Sequence, residues 1–271
     1  MRKLDVNSRW VVVTGASSGL GREIARDLAR RHRANPILVA RREDRLLELQ
    51  CELEREYGVQ SRVIVADLSK QQDVDRVFSA STQAQEVQAV VLNAGVTHFG
   101  FHNELAWDDL EAMIDTNVKS AVRLIHHFVP YMVDKDHGGA IMLITSMTGL
   151  IPVPFQTAYS STKAFLTTFG LGLNHELADR NLSITTVAPG GIATEMSENT
   201  GLGAHFGDSI QIQPADFVAR ESVDAMLQRR YLHVPGRFNR LQLLLPRLFP
   251  RRLVGQVVAS AYQRALTGRP R

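Results

Sequence analysis

Residues 10–29 read WVVVTGASSGLGREIARDLA, and their interpretation decides the fold. Trp10 to Thr14 form a short run, apolar up to a β-branched hydroxyl, that suits a strand covered on both faces. Small residues follow from Gly15 to Gly19, and behind them Leu20, Ile24 and Leu28 recur at helical spacing. The stretch therefore predicts a strand, a tight turn and a helix.

The same alternation continues along the chain. Strand-length apolar runs recur at PILVA (36–40), RVIVAD (62–67), QAVVLNAG (88–95), AIMLITS (140–146) and LSITTVAPG (182–190), with helical spacing between them, as at Leu46, Leu49 and Leu53. Continuous rather than alternating apolar strands demand helices on both sides, so the expected fold is a doubly wound parallel α/β sheet of about seven strands. Residues 1–236 are expected to form one domain that binds its ligands and does its chemistry, because no repeat period or long linker divides them. Beyond that, RFNRLQLLLPRLFPRRLVG changes the pattern, and Pro246 and Pro250 argue against one unbroken helix. Residues 237–271 are read as a basic helical extension packed on the same domain, in short pieces around the prolines and then a helix near 253–266.

Composition narrows the setting. The single cysteine, Cys51, rules out an internal disulfide, and the start MRKLDVNSRW lacks the apolar segment of an export signal, which together point to the cytoplasm. Residues 138–162 carry no charged side chain, yet Pro152, Pro154 and several glycines and hydroxyls oppose a membrane span. The net charge of +3 conceals a division, because ten arginines and no acid follow Asp224, leaving 21 basic against 28 acidic residues up to that point. A mildly acidic body thus carries a strongly basic tail. Tyr231, Phe238, Phe249 and Tyr262 are too widely spaced for a base-stacking platform, so no nucleic-acid partner is expected.

The turn Thr14-Gly15-Ala16-Ser17-Ser18-Gly19-Leu20-Gly21 lets a pyrophosphate approach the backbone N–H groups and the helix N-terminus, because bulkier side chains would hold it away. Its glycine spacing resembles the short-chain dehydrogenases/reductases, a Rossmann-fold family. The other motifs of that family follow in order: Asn93-Ala94-Gly95 after the fourth strand, Asn117, Ser146 after the fifth, Tyr159 with Lys163, and Pro189-Gly190 after the sixth. The resemblance covers about residues 10–235, and the extension is similar to that of the DltE-like and ketoacyl-reducing branch.

The resemblance implies a dinucleotide cofactor. The place where an NAD-preferring site carries Asp or Glu reads Ala40-Arg41-Arg42, and a guanidinium there pairs with a 2′-phosphate, so NADP (NADPH) is expected. The alternative is a solvated helix start. Asp67, followed by Leu68, is implied to accept from the adenine amino group, or else caps the next helix. Ile192 and Thr194 are implied to meet the nicotinamide carboxamide, against the alternative of a plain loop. Gly15, Ser17, Ser18, Gly19, Leu20, Gly21, Asn93, Ala94, Gly95, Pro189 and Gly190 complete the expected cofactor contacts, together with Tyr159 and Lys163.

Lysine occurs only five times, at 3, 70, 119, 135 and 163, so a Tyr-x-x-x-Lys pair at a family position is improbable by composition. On a helix the two share a face, and a neighbouring cation is expected to draw the phenol's pKa down from about 10. The resemblance implies Tyr159 as the proton donor or acceptor, Lys163 as its partner and a ribose ligand, Ser146 as a hydroxyl holding the carbonyl oxygen, and Asn117 as the residue placing a water near Lys163. Capping of a turn by Ser146 and a helix kink at Asn117 are the structural alternatives. The charge-free span 138–162 suits the wall of such a pocket. No metal is expected, since the histidines are scattered and His126 and His127 cannot face one ligand together.

Met147, Leu150, Val153, Phe155, Met196 and Leu202 are candidate pocket residues, favouring a lipophilic ketone, alcohol or acyl chain. The basic tail is read as a cover over the sheet edge and the pocket, an anchor on an anionic lipid surface that would make the chain peripheral to the membrane, or a dock for an acidic acyl carrier or coenzyme A thioester. A homo-oligomer, dimer or tetramer, through helices near 105–134 and 157–179 is implied by the resemblance. The functional expectation is an NADP-dependent oxidoreductase interconverting a carbonyl and a secondary alcohol; the alternative is a non-catalytic NADP-binding sensor or scaffold.

Overall fold

The structure, a computed structural model, describes residues 2–83, 85–133, 138–199, 212–243 and 249–267. Leu202, Lys135, Pro246 and Arg247 lie outside the described residues.

Seven strands form one parallel sheet: β1 (Trp10–Thr14), β2 (Asn35–Ala40), β3 (Arg62–Val65), β4 (Val87–Leu92), β5 (Gly139–Ile144), β6 (Leu182–Val187) and, at one edge, Leu232–His233. The spatial order is β3-β2-β1-β4-β5-β6 followed by that edge strand. Every residue of β4, β5 and β6 is buried, which is why their sequences are apolar or β-branched but for Gln88, which donates to Gly138 O, and Ser183, which accepts from Arg229. The edge strand has two residues and no apolar run announces it. It exists because Thr186 and Val187 offer it a free edge.

Helices cover both faces. One face packs α1 (Gly19–His32), α2 (Glu43–Tyr57) and the helix Ala215–Leu227 through Ile24, Leu28, Leu46, Leu49 and Val223. The other packs α3 (Gln71–Thr82), α5 (Ser120–Val133) and α6 (Thr157–Glu176) through Val77, Leu124, Phe128 and Leu166. Burying each such side chain contributes about 1.5–3 kcal/mol, so the doubly wound arrangement follows from where the apolar residues sit. Between α3 and α5 lies α4 (Trp107–Ile114).

Chain connections reverse direction between β1 and β4, and at that point a crevice opens beyond the carboxyl ends of the strands. Thr14 fastens its floor. Its hydroxyl donates to Val91 O at 3.2 Å and accepts from the N–H groups of Asn93 and Ala94 at 2.9 and 3.1 Å. Toward the C-terminus, helices occupy Arg237–Gln242 and Arg251–Thr267. The second begins immediately after Pro250, whose carbonyl accepts from Leu253 and Val254, so that proline starts a helix rather than interrupting one. Among the described residues no helix is long and apolar enough to cross a membrane.

Candidate active site

A cavity of about 960 Å³ fills the crevice. Its floor is the turn after β1, where Gly15 and Gly19 adopt φ of +68° and +53°. A Cβ on Gly21 would lie 2.3 Å from Gly15 O and 2.5 Å from Asn93 Nδ2, so only glycine allows α1 to start this close to the strand ends. Asn93 closes the arrangement by donating to Thr14 O at 3.1 Å. The turn and the start of α1 line the cavity at Gly15, Ser17, Ser18, Gly19 and Leu20, where the backbone N–H groups of a helix N-terminus suit an anionic pyrophosphate.

Nearly all the residues singled out in the sequence converge on this cavity. Gly15, Ser17, Ser18, Gly19, Leu20, Arg41, Arg42, Asp67, Leu68, Asn93, Ala94, Gly95, Ser146, Tyr159, Lys163, Pro189, Gly190, Ile192 and Thr194 line it. Gly21 and Asn117 stand just behind, one against the turn and the other 3.2 Å from the position a Gly95 Cβ would take. Asp67 does not cap α3; it accepts from Ser69 N and Oγ at 3.2 and 2.9 Å and so shapes the turn that presents it to the cavity.

The two arginines after β2 behave differently. Arg41 is exposed at the rim, whereas Arg42 lies along the turn, donating to Ser17 Oγ at 3.3 and 3.2 Å and to Ser18 Oγ at 2.7 Å. It also donates to Glu195 at 2.9 Å, and Arg45 pairs with the same carboxylate. Those two guanidinium partners hold Glu195 down to about 2.

Tyr159 and Lys163 share one face of α6, with the Lys163 ammonium 5.7 Å from the centre of the phenol ring. The tyrosine is half-buried as a residue, but its hydroxyl end is enclosed. Burial pushes its pKa up to about 12; a hydrogen bond with Ser146 opposes the rise, and the nearby Tyr262 phenol adds to it. The expectation of an acidified phenol is corrected here. Lys163 is itself buried, its pKa is brought down to about 8, and its Nζ donates to Ile144 O at 3.0 Å. Desolvation therefore outweighs the Ser146 hydrogen bond, and the phenol is protonated at neutral pH.

Ser146 combines its two readings. Its Oγ accepts from Thr148 N at 3.2 Å and Thr148 Oγ1 at 2.9 Å, capping the turn Met147–Gly149, while its position at the end of β5 points the residue into the cavity beside Tyr159. Asn117 sits in a single π-helical turn, Asp115–Lys119, between α4 and α5. The wider turn suits its side chain, whose Oδ1 accepts from Val96 N at 2.8 Å and whose Nδ2 donates to Val96 O at 2.9 Å and Thr162 Oγ1 at 3.1 Å. It ties the loop after β4 to α6, beside Lys163.

Met147, Val153 and Met196 line the cavity as expected of pocket residues, while Phe155 stands edge-on against Phe101, 5.2 Å between ring centres. What no motif announced is the far wall. Leu253, Val254, Val257, Val258, Ala261 and Tyr262 of the helix Arg251–Thr267 line the same cavity, and Tyr262 meets Phe99 edge-on at 5.7 Å. This wall agrees with the reading of the tail as a cover over the pocket, although helical spacing alone did not say which of its residues meet the cavity. Glu195 was missed, although it directly follows Thr194.

The family model for the short chain dehydrogenase matches residues 9–205. Very-long-chain 3-oxoacyl-CoA reductase of Anas platyrhynchos is 32% identical over 193 residues, 70% of this chain and 61% of that protein. Inactive hydroxysteroid dehydrogenase-like protein 1 of Homo sapiens is 31% identical over 191 residues, 70% of this chain and 57% of that protein. The match thus spans about three fifths of the length of these curated relatives. Among solved structures, a short-chain dehydrogenase from Sphingobium yanoikuyae in complex with NADPH superposes with a TM-score of 0.78 at 27% identity, covering 89% of this chain and 94% of that one.

Proposed function

The chain belongs to the short-chain dehydrogenase family, and on that premise we propose that it is an NADP(H)-dependent oxidoreductase interconverting a carbonyl and a secondary alcohol on a lipophilic small molecule or acyl chain. The observation that carries this reading is the meeting of Ser146, Tyr159 and Lys163 on one wall of a cavity whose opposite wall is apolar. The glycine cradle and Arg42 suit the pyrophosphate and a 2′-phosphate, and the NADPH-bound relative supports that choice. When bound, the nicotinamide supplies or accepts the hydride.

The side chains of this protein supply the rest. Ser146 and Tyr159 hydroxyls converge on one substrate oxygen, Ser146 holding it and Tyr159 giving it a proton during reduction. Burial keeps the phenol protonated at neutral pH but makes it a weaker acid, so a cation beside the phenolate left behind lowers the cost of the transfer. Lys163, at about 8, is able to carry charge toward the phenol when a ligand draws its Nζ away from Ile144 O. Val254, Val258 and Met147 exclude water and favour an alkyl chain over a polyol, and the ketoacyl-reducing relative supports an acyl thioester.

A non-catalytic role has its own support in the relative called inactive. Following NADPH absorbance with 3-oxoacyl thioesters and lipophilic ketones distinguishes the two. Turnover by the native chain, reduced about 100- to 10,000-fold in Tyr159→Phe with NADPH binding retained, is expected. NADPH binding without turnover of any carbonyl would establish the sensor instead. A homo-oligomer through α4, α5 and α6 is part of the proposal, supported by exposed Trp107 and Phe165 on these helices, and sedimentation of the purified chain tests it.

A further inference from the structure

Glu195 occupies a place that no cofactor motif assigns. Thr194 before it lies against the turn, its Cγ2 only 3.0 Å from where a Cβ of Gly19 would be. From there Glu195 reaches the start of α2, where its Oε2 accepts from Arg42 Nη1 at 2.9 Å and its Oε1 from Arg45. The Nε and Nη2 of the same Arg42 hold the hydroxyls of Ser17 and Ser18, so this guanidinium spans the turn and the carboxylate at once.

A carboxylate on an arginine pair offers the same recognition as a phosphate monoester, namely two anionic oxygens against fixed N–H donors. Both ligands cannot use Arg42 Nη1 together, and their like charges repel. We propose that Glu195 is a specificity-determining residue, an internal anion that fills the Arg42–Arg45 site and is displaced by the 2′-phosphate of the dinucleotide. The inference rests on the NADP reading above.

Two consequences follow from the geometry. Affinity for a 2′-phosphorylated ligand is lowered by the work of displacing Glu195, whereas a ligand lacking that phosphate leaves the pair intact. Displacement also frees the short helix Glu195–Asn199 from α2, and that helix carries Met196 and Ser197 on the cavity wall. Occupation of the adenosine end is thereby transmitted to the substrate end.

The size of the effect is bounded by exposure. The Arg42 and Glu195 side chains are each 41% exposed, so their attraction is screened by solvent and its removal changes binding by about two- to fivefold. The experiment is calorimetric titration of the full chain and of Glu195→Gln with two nicotinamide-free probes, 2′,5′-ADP and 5′-AMP. Glu195→Gln is expected to bind 2′,5′-ADP about two- to fivefold more tightly than the native chain, with 5′-AMP changed less than about 1.5-fold. Glu195→Ala is expected to act in the same direction, since removal of charge is the shared feature. Weaker binding of 2′,5′-ADP by Glu195→Gln, or an equal change for both probes, overturns the inference. The two levels of failure are separable. If the native chain does not prefer 2′,5′-ADP over 5′-AMP, the NADP reading falls and the inference with it; if it does prefer it but the preference is unaltered in Glu195→Gln, the inference alone falls.

Discussion

Replacing Lys163 by methionine is expected to abolish turnover while making the fold more stable at neutral pH. Lys163 is 3% exposed, and burial lowers its ammonium from 10.5 to about 8. At about pH 7 both folded and unfolded chains carry that proton, so the folded state bears the whole burial penalty. At roughly 1.36 kcal/mol per pH unit, the penalty is about 3 kcal/mol. Methionine fills a similar volume without charge but forfeits the bond to Ile144 O, on the order of 1.5 kcal/mol for a charged donor. A net gain of about 2 kcal/mol remains, which for a chain of this length raises Tm by about 3–4 °C. The sign changes with pH in a defined way. Between about 8 and 10.5 the unfolded chain binds more protons than the native one, so the native protein gains stability as pH rises and the advantage of Lys163→Met shrinks to about zero near pH 9.5. Urea denaturation of both proteins at about pH 7 and 9.5 measures this. A variant less stable than the native chain at neutral pH, or a stability difference that ignores pH, would refute the reasoning.

Gly21→Ala places a methyl group 2.3 Å from Gly15 O, so the turn must move; a loss of dinucleotide binding by titration, with about 1–3 kcal/mol of destabilisation, is expected. Thr14→Val keeps the shape of β1 but strands the N–H groups of Asn93 and Ala94, costing roughly 2–3 kcal/mol in chemical denaturation. Val254→Asp brings a carboxylate to the apolar wall formed by the C-terminal helix. Its KM for long-chain ketones should rise about tenfold or more, against a small change for short ones, and equal effects on both would detach that helix from substrate recognition.

Much of the site was legible because its parts obey local rules. The turn after β1 needs small residues wherever a backbone must approach an anion, and Gly15, Gly19 and Gly21 satisfy that need within seven consecutive positions. Tyr159 and Lys163 meet because four residues make about one helical turn. The tail was legible for the same reason: proline cannot continue a helix that reaches it but suits the start of the next, and the expected helix near 253–266 runs from Arg251 to Thr267 directly after Pro250.

By itself, then, the amino-acid order determined the alternation of strands and helices and the side chains set at their ends, since periodicity and steric size act between close neighbours along the chain. Tertiary structure decided what depends on surroundings. It turned the pKa of Tyr159 upward, because enclosure by residues distant in sequence removes water from the phenol more effectively than the Ser146 hydrogen bond compensates. It brought Tyr262 and Val254 over the cavity and joined Glu195 to Arg42 across 153 positions of sequence. Such meetings arise from the winding of the sheet, which places the ends of its strands together, and no window of sequence contains them.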